Sequence, residues 1–148
     1  MKKLMFSVAL LISAVGMFLW LNTRLVHVIN VHFNRYTAQV LVDHLPVTKH
    51  AKQNWWFENK DKIFAKFKVP SQDDGGPSSI TVFAFGEGYQ ESGKEDRLCF
   101  DDMAPPKNCI DKNILLTIDL TGEGDTRIGF ERSYRVFLKN GKIVESSY

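Results

Sequence analysis

The sequence predicts an α+β protein: an N-terminal transmembrane helix, then a small, mostly antiparallel β-sheet domain carrying one amphipathic helix. Three observations predict it. Leu4 to Leu21 is an uncharged run of 18 residues. Apolar residues recur at fours between Lys49 and Phe67. The remainder breaks into short apolar runs separated by polar, Gly- and Pro-containing turns, without β–α–β alternation.

The first run follows Met1-Lys2-Lys3, and its only hydroxyl-bearing members are Ser7 and Ser13. As a helix it spans roughly 27 Å, close to the thickness of a bilayer's hydrocarbon core. Trp20 stands near its far end, where an amphipathic ring suits the membrane interface. Lys2 and Lys3 favour a cytoplasmic N-terminus and send the rest of the chain outward, although Arg24 on the other flank works against that bias. A cleaved signal peptide is the competing reading, with Ala14-Val15-Gly16 as its processing site. The apolar run continues past that site through Leu21, which favours an uncleaved anchor. We therefore divide the chain into an anchor with a short cytoplasmic N-terminus, residues 1–23, and a periplasmic α+β domain, residues 24–148.

Beyond the anchor, Val26 and Val28, then Val31 and Phe33, form a loosely alternating run. A second run, Thr37 to Asp43, follows the polar break at Asn34-Arg35, and the two read as a hairpin closed by Pro46. Thr48 is placed to cap a helix from about Lys49 to Phe67. Its stripe is Ala51, Trp55, Ile63 and Phe67, with Trp56 and Phe64 beside it and lysines over much of the rest. That face packs on a sheet or lies along a membrane surface. Pro70 ends the helix and Ser71 to Ser79 is a loop.

Further strands are read at Ile80–Phe85, Arg97–Phe100, Ile114–Leu120, Tyr134–Leu138 and Ile143–Glu145. Ile114, Leu116, Ile118 and Leu120 alternate most clearly. Asn140-Gly141 between the last two is a strong hairpin signal, read as a turn with both residues at positive φ.

The charge balance limits the partners. There are 19 basic and 17 acidic residues in 148. Lys2 and Lys3 are the only charges before Arg24, so the remainder is balanced. No basic stripe suggests nucleic-acid binding. Cys99 and Cys109 can pair in an oxidising compartment, closing a short loop worth about 2.7 kcal/mol in the chain-entropy picture. Two unrelated buried thiols are the alternative. Two cysteines without a C-x-x-C spacing or a following histidine do not suggest zinc.

Catalytic and metal signals are weak. Glu87, Glu91, Glu95, Asp96, Asp101 and Asp102 cluster between residues 87 and 102, but their spacing fits no EF-hand loop. Without a surrounding apolar bulk to raise a carboxyl pKa, they read as a solvated face or a surface for a basic partner. His27, His32, His44 and His50 lack a ligand spacing. No G-x-S-x-G elbow occurs, and neither Gly86-x-Gly88 nor Gly122-x-Gly124 makes a dinucleotide fingerprint. No catalytic residue, metal or cofactor is expected.

Several longer motifs point to a family. They are Asn54-Trp55-Trp56 with Asn59-Lys60, Phe85-Gly86-Glu87-Gly88-Tyr89, Gly93 through Met103, and Asn108-Cys109-Ile110. Together with the anchor they resemble the enterobacterial small membrane proteins grouped as domain of unknown function family 943. The resemblance covers most of the chain, and the run around Cys99 is its most specific part. It implies a single-pass inner-membrane protein with a periplasmic domain and no known activity to transfer. Both cysteines stand where the family has them, which supports the disulfide.

The functional expectation is a non-enzymatic, membrane-anchored periplasmic binding protein. Its most concrete form is an immunity protein that neutralises a toxin by occlusion, using the acidic residues 87–102 and the Trp55-Trp56 face as contact surfaces. An accessory or regulatory subunit of an envelope complex is the second reading. A periplasmic enzyme is the third.

Overall fold

A computed structural model describes residues 1–147, so the last residue of the unit spanning 24–148 lies outside them. The first element is helix α1, Lys2–Thr23, which buries none of its residues against the rest of the protein. It is the one helix among the described residues long and apolar enough to cross a membrane. It ends where Arg24 turns extended, with its N–H still bonded to the Trp20 carbonyl.

The head contains strands β1 (Val28–Phe33), β2 (Thr37–Val42), β3 (Ser79–Ala84), β4 (Arg97–Cys99), β5 (Cys109–Asp111), β6 (Ile114–Leu120), β7 (Thr126–Phe130), β8 (Ser133–Phe137) and β9 (Ile143–Ser147), with helix α2 (Lys49–Phe67) between β2 and β3. Seven strands form one sheet in the order β1-β2-β3-β6-β7-β8-β9, and β4–β5 form a separate ribbon. Every described pairing is antiparallel except β2–β3. The fold is α+β with a mostly antiparallel sheet, as the sequence predicts.

One topological expectation is corrected. The described residues contain a single β–α–β crossover, because α2 carries the chain from β2 to the parallel β3. One helix among nine strands leaves no repeating alternation to read. Two strands, β5 and β7, also exceed the seven expected. Each is short, and β7 (TRIGF) begins with polar residues and contains a glycine.

Local chemistry explains most boundaries. Asn34 Oδ1 accepts the N–H groups of Tyr36 and Thr37, which makes the turn between β1 and β2. In β1 a bulge between Val28 and Asn30 gives that strand one extra residue, which shifts the inward positions from Val28 to Val31. The irregular alternation in the sequence is that bulge. Thr48 caps α2 by accepting the Ala51 N–H, as expected. Its C-terminus is a Schellman turn: Lys68 N–H reaches Ala65 O, Val69 N–H reaches Phe64 O, and Lys68 is left-handed at φ 56°.

The final hairpin corrects a turn type. Gly141 has φ 85°, but Asn140 is not at positive φ. Gly141 N–H bonds to Leu138 O, and Leu138 N–H bonds to Lys142 O. The turn is therefore a three-residue loop with glycine in the left-handed position, not a two-residue type I′ turn.

The first three strands are buried on both faces. One face carries Val31, Val40, Val42, Ile80 and Val82, which pack with Leu116, Ile118 and Ile128 beneath Trp56 and Ile63 of α2. The opposite face carries Leu41 and Phe83, which pack with Phe100 and Ile110 of the ribbon region. Two covered faces explain why β2 reads as a continuous apolar run. The aromatic face of α2 thus packs on the sheet, with Trp56 only 2% exposed. The buried line runs through Gln53, Trp56 and Ile63, to one side of the expected Ala51-Trp55 stripe. Gln53 is satisfied there by Arg135, whose guanidinium donates to Gln53 Oε1 at 3.1 Å.

Candidate functional site

The ribbon pairs in a sheet of its own, apart from the seven-stranded one. It leaves the chain after β3 and rejoins it at β6. Cys99 and Cys109 face each other across β4–β5 and form a disulfide. Cys109 is fully buried and Cys99 is exposed. The crosslink is thus a staple at the outer end of a three-pair ladder.

Arg97 organises the loop in front of it. Its Nε donates to Asp111 Oδ1 at 2.9 Å, and its terminal nitrogens reach Glu91 O, Gln90 Oε1 and Glu95 Oε2. Its bond to Asp111, aided by the Glu95 charge, raises the guanidinium pKa further. The same bond, against some desolvation, holds the Asp111 carboxyl below its ordinary value. Lys112 pairs with Asp96 nearby.

A chain of polar side chains centred on buried His32 joins the ribbon to the sheet. His32, on β1, is 3% exposed and stacks on the Phe100 ring at 3.8 Å. Its Nδ1 lies 2.7 and 2.8 Å from the two Asp102 oxygens. Its Nε2 lies 2.7 Å from the Tyr89 hydroxyl, which in turn accepts from Asn30 Nδ2 at 2.9 Å. Because Asn30 donates to that hydroxyl, the Tyr89 O–H is free to donate to Nε2, and the His32 proton then stands on Nδ1 facing Asp102. Burial raises the Tyr89 pKa, the Asn30 bond opposes this, and the Asp102 charge adds to the rise. A raised pKa keeps the Tyr89 hydroxyl protonated, as its donation to His32 requires. The chain Asp102–His32–Tyr89–Asn30 spans 72 residues of sequence, from Asn30 to Asp102.

A cavity of about 420 Å³ opens beside it, between the β1–β2 turn and the ribbon. Its walls include His32, Asn34, Gln39, Phe100, Asp101 and Asp102. The lining is about equally polar and apolar, which suits a side chain with a charged head on an apolar stem more than a purely oily ligand.

The acidic residues singled out in the sequence therefore divide. Asp102 is the buried histidine's partner, while Glu95 and Asp96 are paired to Arg97 and Lys112. Glu87, Glu91 and Asp101 are exposed, and Asp102 is exposed too although it is bonded to His32. Of the tryptophans, Trp56 is core and Trp55 is half-buried near the end of α1. Reading the sequence missed His32, Tyr89 and Asn30 as one cluster. The available signal was Asn30-Val31-His32, two polar side chains on one face of an otherwise apolar strand.

A second histidine–carboxylate group lies at the membrane end. Asp43 accepts from the His27 N–H and imidazole and from the His44 N–H, and His44 Nδ1 lies 2.9 Å from it. Burial opposes ionisation of Asp43, but these bonds outweigh it and its carboxyl lies below the ordinary value. Asn22, in the last turn of α1, accepts from the N–H groups of Val47 and Thr48, each at 3.1 Å. The anchor is thereby docked on the start of α2.

No curated protein and no solved structure matches the chain. A family model does, described as "Enterobacterial putative membrane protein (DUF943)", over residues 1–147. That match takes in the anchor, the ribbon and the polar chain through His32 alike. The protein accordingly belongs to the enterobacterial membrane-protein family of domain of unknown function 943.

Proposed function

We propose that this membrane protein is a non-enzymatic binding protein whose head stands on the oxidising, periplasmic side of the inner membrane. In its most concrete form it is an immunity protein that neutralises a toxin by covering it. The observation that carries this reading is the ribbon: it is crosslinked, held to the sheet through His32–Asp102, and presents exposed carboxylates. A preorganised acidic surface favours fast association with a basic partner and loses little entropy on binding. The anchor concentrates that surface where an incoming toxin reaches the membrane.

The test is protection. Cells lacking the gene should become sensitive to the cognate toxin, and the full-length protein should restore resistance. Charge reversal at Glu87, Glu91 and Asp101 should weaken toxin capture at least tenfold without unfolding the head. Asp102 is unsuitable for that purpose because it holds His32. If capture with the full-length protein returns only resident membrane proteins, the accessory-subunit reading replaces immunity.

A further inference from the structure

A second cavity, of about 570 Å³, lies at the junction of anchor and head. Its walls come from the last turn of α1, the extended residues after it, and the first turns of α2. The six lining residues that matter are Arg24, Thr48, His50, Asn54, Trp55 and Glu58. The geometry points to a binding site for one phospholipid headgroup that carries both a phosphate and a primary ammonium.

Depth is the first argument. Trp20 suits the boundary of the hydrocarbon core. Arg24 follows it by four residues, roughly 6 Å further along the axis. The headgroup layer of a leaflet is about 5–7 Å thick, so the groove lies at the level of the lipid phosphates. Flexibility does not blur this placement, because Asn22 ties α1 to Val47 and Thr48 at the edge of the same groove.

Charge is the second argument. The Arg24 guanidinium lies 5.2 Å from the Trp20 ring centroid, and its Nε is buried with no hydrogen-bond partner. A buried guanidinium N–H without an acceptor is costly, and a phosphate oxygen is the acceptor that depth supplies. His50 and Asn54 stand one turn apart on α2 and are joined at 3.2 Å, adding polar nitrogens to the same wall. Glu58 lies one further turn along and is exposed. Among the described residues no ion pair joins Glu58 to Arg24, although both line the groove. One cation and one anion left unpaired in a single groove match a zwitterion: phosphate at Arg24, ammonium at Glu58. Trp55 lines the same groove, and an aromatic ring attracts an ammonium placed over its face.

This inference needs the anchor to remain attached, but not the toxin reading or the side of the membrane on which the head stands. The experiment is native mass spectrometry of the full-length protein released from mild detergent, after exposure to phosphatidylethanolamine or phosphatidylglycerol. One phosphatidylethanolamine per chain should be retained, at least tenfold over phosphatidylglycerol. Arg24→Gln should lower retention at least tenfold, whereas Arg24→Lys should restore part of it. Glu58→Gln should erase the preference between the two lipids. Intact disulfide and a protease-resistant head show that each variant is folded, and His50→Gln serves in place of Arg24→Gln if that variant is not. Equal retention by Arg24→Gln, or no preference in the wild type, overturns the assignment. Free O-phosphoethanolamine binding as tightly as the lipid, followed by Trp fluorescence, would make this a soluble-ligand site and overturns it equally.

Discussion

His32 shows how one side chain decides a contact between distant segments. Its imidazole is removed from water and both ring nitrogens are engaged, so losing a partner leaves a buried donor or acceptor unsatisfied. Asp102→Ala should therefore cost about 1–3 kcal/mol, measured by denaturant unfolding of the detergent-solubilised protein. Asp102→Asn, which keeps an acceptor, should cost less. Equal losses in the two variants would mean that the charge, not the hydrogen bond, matters. Asp43 makes a pH-dependent contribution of definite sign. Its carboxyl lies below the ordinary 3.8, so the folded state prefers the ionised form. The stabilisation is present in full above 3.8 and is lost as pH falls through the lower folded value. Asp43→Asn should make the head less stable at neutral pH and flatten this acid-side loss, which thermal melts followed by near-UV circular dichroism at pH 2–7 would reveal.

Among the elements, α2 carries its own end signals. Thr48 satisfies one amide at its start, and the Schellman turn satisfies carbonyls at its end. The exception is Lys68, a side-chain-bearing residue at φ 56° and ψ 36°. A left-handed non-glycine residue is strained by about 1–2 kcal/mol, and glycine gives part of that back through its freer unfolded chain. Lys68→Gly should thus stabilise the head by about 0.5–1 kcal/mol, raising the melting temperature by a few degrees. A drop on this substitution would show that the Lys68 side chain makes a contact outweighing the strain. The ribbon behaves differently. With three ladder pairs it is too short to stand by itself, and its order comes from the crosslink and from Phe100 and Ile110 beneath it. The double variant Cys99→Ser, Cys109→Ser should lose about 2.7 kcal/mol by the loop-closure argument, measured by urea unfolding. A loss below 0.5 kcal/mol would show that the packing of Phe100 and Ile110 alone holds the ribbon.

At the scale of the whole molecule, one candidate span leads into a two-faced head, and the tertiary fold determines which surfaces remain for partners. The aromatic face of α2 is occupied by the sheet, and the disulfide ribbon covers the opposite face of the first strands. Among the surfaces left open are the acidic edge of the ribbon and the groove at the anchor. The sequence alone determined the candidate span, the cap and length of α2, the hairpin at Asn34 and the α+β class. Each depends on neighbours within a few residues: an uncharged run, a hydroxyl before a helix, an Asn in a turn. It did not determine the β2–β3 parallel pairing, the burial of Trp56 in preference to Trp55, or the Asp102–His32–Tyr89–Asn30 chain. Those depend on segments up to 72 residues apart meeting in space, and periodicity records which face of an element is apolar but not what covers it. Asp102 is exposed, as its polar surroundings in the sequence suggest, but its bond to His32 was not legible there, because it forms only where the ribbon folds back onto β1 and closes the second core.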